Sequence, residues 1–308
     1  MSANASSDLF LSLEKLDLPN AYIYPAFLSG LLTYIFIMFC NLLVLVAIAA
    51  SKKLHKPMFI LLFNLPVSHM ITATAFFPHF VLSIVTKRRL IPPPACITQA
   101  FLVHLCGTGN LLILSAMAYD RYVAICRPLR YNAVMTPHNL VKIIILIWFI
   151  MLVSILIGLT VRLSRCRSVI KNAYCDNASL FKLSCEDVSI NDIYGLFFTV
   201  LLFSCSMGGI AVTYFRIALV CWIKKNKELN NKALQTCASH LVLYLIMLWS
   251  GFLTIILHRF PNYPDLRKIA YVLFHVIPAN LNPIIYGMQT RLLRERIIHM
   301  LKRKVTPT

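Results

Sequence analysis

Asp120 and Arg121 stand side by side at the end of a long apolar run, in the stretch LSAMAYDRYVAICRP that covers residues 114–128. Charge at the edge of a hydrophobic segment is costly unless it is paired or reaches a polar interface. Two interpretations of the pair stay open. Arg121 is a simple anchor that extends toward phosphate groups, or it is half of a latch, held by the carboxylate in one state and released to a partner in another.

Other reactive side chains do not form a pattern typical of an enzyme or a metal site. We expect Asp120 and Glu295 to be remote from any pocket, and no nucleophile has the spacing that suggests a neighbouring base. No CxxC motif or histidine cluster has the spacing of metal ligands. We therefore predict that the protein is not an enzyme and binds no cofactor or metal.

The elements that position these residues are visible in the spacing of charge. Of the 308 residues, 59% are hydrophobic and only 13% are charged. A helix needs about 20 mostly apolar residues to span a bilayer, where its backbone must satisfy its own hydrogen bonds. Seven uncharged stretches are long enough: 18–51, 57–86, 90–119, 143–161, 193–215, 233–258 and 269–290. We predict an all-α membrane protein, a seven-transmembrane helix bundle.

The distribution of basic residues predicts the orientation of this bundle. If the N-terminus is outside, the inner loops and helix ends carry 18 Lys and Arg residues and the outer ones carry 12, as the positive-inside rule favours. We expect one domain in the plasma membrane, with 1–24 extracellular, 25–290 in the bundle and 291–308 cytoplasmic. The net charge of +19 then indicates contact with anionic membrane lipids, and we predict no nucleic acid partner.

The tail RLLRERIIHMLKRK, residues 291–304, places apolar residues near helical spacing with basic residues between them. This pattern predicts a short amphipathic eighth helix that lies on the anionic inner leaflet. A disordered basic tail is the alternative.

Several features fall on the predicted outer side. The first 20 residues show no cleavable signal peptide. Asn4 and Asn177 each begin a glycosylation sequon. Disulfides persist outside the cell, and four of the ten cysteines lie on this side: Cys96, Cys166, Cys175 and Cys185. Four cysteines allow three connectivities, and their spacing does not choose among them.

Four motifs, in order along the chain, resemble those of vertebrate olfactory receptors, within the rhodopsin-like G-protein-coupled receptors. LHKPMF at 54–59 is similar to the first inner loop of that family, and MAYDRYVAICRPLRY at 117–131 resembles its third-helix signature. KALQTCASHL at 232–241 and LNPIIYG at 281–287 resemble its sixth- and seventh-helix motifs. LHRF, around Arg259, resembles the branch associated with hydrophilic odorants, including fish receptors.

This resemblance implies a receptor that binds small odorants from outside and activates a stimulatory heterotrimeric G protein inside, which raises cyclic AMP. It also assigns the positions that match the activation switch: Asp120, Arg121, Tyr122, Tyr214, His240, Asn282, Pro283 and Tyr286. AYCDNASLFKLSC at 173–185 resembles the second outer loop of the family, which implies the disulfides Cys96–Cys175 and Cys166–Cys185.

The polar core departs from the family in two places. Asn41 matches the polar residue of the first helix, but His69 stands where rhodopsin-like receptors usually carry a sodium-binding Asp. Asn110 stands where many olfactory receptors carry an acid. A hard cation prefers oxygen ligands and negative charge, so we expect no sodium. We expect a hydrogen-bonded cluster of His69, Asn110 and Asn282, for which a proton-sensitive switch is a further hypothesis.

The resemblance also implies a ligand pocket among the outer halves of the third, fifth, sixth and seventh helices. The matching positions are Val103, His104, Gly107, Thr108, Phe198, Thr199, Gly251, Phe252, Ile255, Arg259 and Val272. Most are apolar or small, as a small-molecule pocket requires.

Arg259 and His104 are the exceptions in this set. Arg259 could hold a ligand carboxylate through two hydrogen bonds, or it could anchor the helix end or pair with Asp187 or Asp265. His104 could donate to the ligand, or it could be satisfied within the bundle. We predict a small carboxylic acid as the ligand class.

Other functional classes are weaker. A transporter often shows repeated halves and several ionisable residues at the midplane, whereas here no repeat is visible and His69 is the one midplane candidate. A rhodopsin-like receptor for a different small molecule is the nearer alternative.

Overall fold

A computed structural model describes residues 10–14, 18–87, 89–159, 166–224, 227–260 and 263–305. Within these ranges, seven helices are long and apolar enough to cross a membrane. The predicted all-α bundle of seven helices with a short eighth helix is confirmed. The predictions for Asn4, and for the side chain of Arg259, lie outside the described residues.

The long helices are α1 (Asn20–Ala49), α2 (Pro57–Thr86), α3 (Pro93–Cys126), α4 (Pro137–Leu159), α5 (Ser189–Lys224), α6 (Lys227–Arg259), α7 (Pro264–Gln289) and α8 (Arg291–Val305). Short helical turns occur at Lys52–Leu54, Pro128–Arg130, Tyr131–Val134 and Asn177–Phe181.

Proline and charge together set many of the helix ends. The helices α2, α3, α4 and α7 each begin at a proline, where the missing N–H costs nothing and the fixed φ angle suits a helix. The helix α2 coincides with an uncharged stretch and ends before Lys87, which adopts a left-handed conformation with φ of 53°. The helix α3 instead continues past its uncharged stretch, so Asp120 and Arg121 are helical residues.

The centre of the bundle is built around α3. Ile113, Leu114 and Met117 are at most 1% exposed and belong to the largest apolar cluster. Gly109 lets the Trp148 ring of α4 lie directly against the α3 backbone, and Nε1 of that ring donates to Oδ1 of Asn64 in α2 at 3.2 Å. Three helices therefore meet at one glycine.

One end of the bundle, called the sheet end below, carries a three-stranded sheet in the order β2-β1-β3. The strands are β1 (Leu11–Leu13), β2 (Leu90–Ile91) and β3 (Val169–Ile170). The strand β1 is antiparallel to β2, with Leu11 opposite Ile91, and parallel to β3, with Leu13 opposite Ile170.

Covalent and ionic links attach this sheet to the helices. The disulfides are Cys96–Cys175, with Cα atoms 5.3 Å apart, and Cys166–Cys185, with Cα atoms 5.0 Å apart. These are the pairs that the family resemblance implies. Arg267 of α7 donates to the Lys171 carbonyl at 2.8 Å and lies 3.7 Å from the Glu14 carboxylate, just after β1.

The opposite end, called the Asp120 end, includes α8. Leu293 is fully buried, and Ile297 and Met300 pack against the central apolar cluster. Arg296 donates to the Ala50 carbonyl at the end of α1 at 3.1 Å. The predicted eighth helix is therefore present, with part of its apolar side against the bundle and with Leu292 and Leu301 exposed. Its contact with the inner leaflet stays a prediction.

The contact at Gly109 gives a test of the packing. An added Cβ would lie 2.7 Å from the Trp148 ring, so Gly109→Ala must displace the indole and its hydrogen bond. We expect the substitution to destabilise the protein by about 1–3 kcal/mol. Thermal unfolding of purified protein in detergent measures this.

Gly208→Ala is the matched control, because no atom lies within 4 Å of its added Cβ. In that helix interior, alanine should stabilise by up to about 1 kcal/mol. Equal unfolding temperatures for the two variants would contradict the packing described at Gly109.

Candidate functional site

Asp120 and Arg121 form an ion pair at the Asp120 end of the bundle, and the pair is called closed below when these two side chains are in contact. Asp120 is 0% exposed, and its Oδ2 lies 3.1 Å from a guanidinium nitrogen of Arg121. Tyr131, on the turn that follows α3, donates from Oη to Asp120 Oδ1 at 2.8 Å. Burial and the neighbouring carboxylate raise the pKa of Tyr131, so its hydroxyl keeps the proton that this bond requires. Arg121 also contacts the sulfur of Met58 in α2.

The other predicted switch residues lie on α3, α5, α6 and α7. Tyr214 of α5 and His240 of α6 are hydrogen-bonded at 2.5 Å. Tyr122 packs against a small apolar cluster of α5 and α6. Tyr286 is 3% exposed, and its hydroxyl has no hydrogen-bond partner among the described residues. Pro283 lies inside α7.

A second polar connection, which the sequence analysis did not identify, joins three helices closer to the bundle centre. The hydroxyl of Ser206 in α5 lies 2.8 Å from Ser115 Oγ in α3 and 2.8 Å from Tyr244 Oη in α6. Ser206 and Tyr244 are 2% and 1% exposed. No motif marks these residues, because a single serine in a spanning helix is ordinary.

The mid-bundle polar residues are brought together only in part. His69 Nε2 and Asn282 Nδ2 lie 3.4 Å apart. Asn41 donates to the carbonyls of Ile37 and Ala279, which ties α1 to α7. Asn110 is 2% exposed, yet its Oδ1 has no hydrogen-bond partner within the described part of the chain. The predicted bond between Asn110 and this cluster is therefore not seen.

Two predicted pocket positions, Gly107 of α3 and Gly251 of α6, meet the same side chain. A Cβ added at Gly107 would lie 3.1 Å from Cζ of Phe274 in α7, and one added at Gly251 would lie 3.4 Å from Cε2 of the same ring. Phe274 therefore occupies a notch between two glycines. The sequence analysis missed it, because nothing in α7 indicates that the facing helices lack side chains there.

The remaining pocket positions divide into two groups. Val103 is 7% exposed, and Thr108 and Thr199 donate to carbonyls of their own helices at 2.6 Å and 2.7 Å. Phe252 is 44% exposed and lies edge-on to Trp249, itself 61% exposed. Its helix turns this ring toward the surface, so the structure does not bring Phe252 to the other pocket residues.

Like Gly107, Thr108 and Thr199, the other pocket positions are partly buried: His104, Phe198, Ile255 and Val272. The sequon residue Asn177 begins a short helix at the sheet end, and Ser179 of the same sequon is buried.

Comparison with known proteins identifies the family. A family model described as Olfactory receptor matches residues 31–304. The chain belongs to the olfactory receptor family. Among similar proteins, human Olfactory receptor 52H1 is 34% identical over 86% of each chain, and human Olfactory receptor 52B2 is 32% identical over 87% of this chain and 84% of its own length.

The fold of this olfactory receptor is similar to that of solved rhodopsin. The squid rhodopsin crystal structure superposes with a TM-score of 0.76, covering 96% of this chain and 91% of that one at 19% sequence identity. The protein is a multi-pass receptor of the plasma membrane and not an enzyme. Its assignment to the fish-like branch stays a prediction.

The bond chain of Ser115, Ser206 and Tyr244 gives a test of what restrains the receptor. Tyr244→Phe removes one hydroxyl and leaves the ring in place. We expect the lost hydrogen bond to destabilise the arrangement in which Asp120 and Arg121 are paired by about 1 kcal/mol. The alternative, signalling arrangement should then be populated about fivefold more, and ligand-free signalling should rise by the same factor. The measurement is basal signalling at matched surface density.

Tyr34→Phe is the control, because its hydroxyl also makes a side-chain bond between two helices, to Thr74 at 3.3 Å, but near the surface of α1 and α2. Basal signalling that rises equally in both variants would indicate general loosening rather than release of this connection.

Proposed function

We propose that this odorant receptor binds its ligand at the sheet end, which faces outside, and activates a stimulatory heterotrimeric G protein at the Asp120 end, raising cyclic AMP. Two observations support this orientation. The sheet end holds both disulfides, which persist in an oxidising compartment. The loops and helix ends on the Asp120 side carry more Lys and Arg than the others, 18 against 12.

The single observation that carries the coupling proposal is the closed Asp120–Arg121 pair. A guanidinium presents five N–H donors, and here one of its nitrogens contacts a neighbouring carboxylate and a thioether of the same bundle, whereas Nε has no hydrogen-bond partner among the described residues. Its side chain is still 25% exposed. A partner that offers backbone carbonyls could therefore compete for it once the helices around it separate.

The basic residues exposed at this end fit the same orientation. The exposed side of α8 carries Arg291 and Lys302, which suits an anionic inner leaflet. Hydrogen bonding to Glu295 raises the pKa of Arg291, so this cation stays charged beside the membrane surface.

We further propose that the ligand is a small carboxylic acid held by Arg259, with His104 as a second donor. Arg259 is the last residue of α6, at the sheet end of a set of predicted pocket positions that are mostly apolar or small. Pairing of Arg259 with Asp187 or Asp265 is the alternative to ligand binding, and both acids also make contacts of their own. Asp187 accepts from the N–H and hydroxyl of Ser189, and Asp265 lies 3.5 Å from Nζ of Lys268.

Cyclic AMP in cells that express the receptor with an olfactory stimulatory G protein tests both proposals. Small carboxylic acids, amines and neutral odorants are applied at fixed pH, with surface expression confirmed. We expect a dose-dependent rise for acids. Responses through a different G protein, with no rise in cyclic AMP, would contradict the stimulatory coupling.

Arg259→Ala should raise the half-effective concentration of acids by about tenfold to a hundredfold, because a lost charged hydrogen bond costs about 1.5–3 kcal/mol, and should spare neutral odorants. Lys171→Ala is the matched control, since it removes an exposed cation from the same end. Equal losses for acids and neutral odorants in Arg259→Ala would count against recognition of the carboxylate.

A further inference from the structure

Beside the predicted pocket, α7 holds an aromatic stack that the proposed function does not use. Tyr271 lies between Tyr174 of the second loop of the sheet end and His275, one turn further along α7. The His275 ring also stacks on Phe76 of α2, with centroids 5.0 Å apart. Tyr174, Tyr271 and His275 are 3%, 3% and 5% exposed. The stack is therefore buried, and its four rings, Phe76, Tyr174, Tyr271 and His275, are called the wall below.

α7 contributes to this wall two polar atoms that lack hydrogen-bond partners among the described residues. Tyr271 Oη and His275 Nε2 are buried, and neither has a hydrogen-bond partner in the part of the chain that the structure describes. Leaving a buried polar atom unpaired is costly, commonly about as much as a hydrogen bond contributes or more. Such atoms beside a pocket indicate that something else supplies the missing bond.

The hydrogen bond on the other side of the His275 ring determines what that bond must be. His275 Nδ1 lies 2.9 Å from the Tyr271 carbonyl oxygen, which can only accept, so Nδ1 carries the proton. In a neutral imidazole the second nitrogen is then an acceptor. Nε2 therefore requires a donor, and the adjacent Tyr271 hydroxyl can donate or accept.

The wall is in contact with two of the predicted pocket positions. Tyr271, Phe76 and Tyr174 belong to one apolar cluster with Val103, and Val272 packs against that cluster. Val103 and Val272 are both predicted pocket positions. Phe274, which fills the notch between Gly107 and Gly251, lies edge-on to His275 with centroids 5.2 Å apart.

We propose that His275 and Tyr271 form a second polar subsite, in which His275 Nε2 accepts a hydrogen bond from a ligand hydroxyl and Tyr271 Oη donates to the same oxygen. A hydroxyl meets both requirements at once, because it donates one bond and accepts others. This inference rests on the proposed function for the ligand class, a small acid whose carboxylate is held by Arg259. With both contacts available, the subsite selects small hydroxy acids over the corresponding unsubstituted acids.

Matched acid pairs in the cyclic AMP assay test the subsite. Each pair shares a carbon skeleton and differs by one hydroxyl: acetate and glycolate, propionate and lactate, butyrate and its hydroxylated isomers. In the unmodified receptor we expect at least one hydroxylated member to act at a concentration about tenfold lower than its partner. His275→Phe keeps an aromatic ring against Phe76 and removes Nε2, so it should abolish that preference while sparing the unsubstituted acid.

Tyr271→Phe, which removes one oxygen, should reduce the preference in the same direction, and His138→Phe, at an exposed histidine near the start of α4, should leave it unchanged. Activation by acids with no preference in any pair would overturn the subsite while leaving acid recognition intact. Activation only by neutral odorants would overturn acid recognition, and ketone and hydroxyketone pairs would then decide the subsite in the same variants. Silence to every pair, with surface expression confirmed, would contradict both proposals.

Discussion

The fully buried carboxylate of Asp120 constrains the end of the molecule at which we propose signalling occurs. A buried charge without a partner costs several kcal/mol in an apolar bundle, so the folded chain must hold Arg121 and the Tyr131 hydroxyl against it. Tyr131 belongs to the turn after α3, and Arg121 also reaches Met58 of α2. One carboxylate thus ties together three parts of the chain. An arrangement that withdraws Arg121 must supply another partner for each charge, which is why we propose that the pair has two distinct states.

The two ends of the receptor are connected by helices whose contacts are specific rather than uniformly apolar. Packed cores change between discrete arrangements and do not deform continuously. Phe274 sits between glycines of α3 and α6 near the proposed pocket, and the Ser115–Ser206–Tyr244 connection joins α3, α5 and α6 between that pocket and the Asp120 end. A ligand that moves Phe274 would therefore displace α3 and α6, which are two of the three helices that this polar connection joins.

Much of the fold could be predicted from the sequence because a bilayer imposes a simple rule. Charge is excluded over about 20 residues, and the uncharged stretch 57–86 coincides with α2. The continuation of α3 past Asp120 did not follow from this rule, since it depends on partners from other helices. The three short strands were also not predicted, because segments of two or three residues are too short to show a periodic pattern in the sequence. Their pairing depends on loops that the disulfides bring together.

The candidate site was predictable only where a motif marks it. The family motifs pointed to Asp120, Tyr214 and Asn282, and the structure gives each of them a polar contact. Phe252 was assigned to the pocket by position, whereas the rotation of α6 leaves it 44% exposed. His275 was overlooked because the sequence cannot show which nitrogen of a histidine is paired. Side-chain orientation and hydrogen-bond satisfaction emerge only when the helices are assembled.

Basal cyclic AMP of Asp120→Asn, measured at matched surface density with and without Arg121→Ala, tests the central claim that the carboxylate restrains the arginine. The amide keeps the shape of the side chain and removes its charge. Asp120→Asn alone should raise basal cyclic AMP above that of the unmodified receptor, and adding Arg121→Ala should abolish the increase, because we propose that the released guanidinium engages the G protein. Unchanged basal signalling in Asp120→Asn, or a rise that persists without Arg121, would contradict the account.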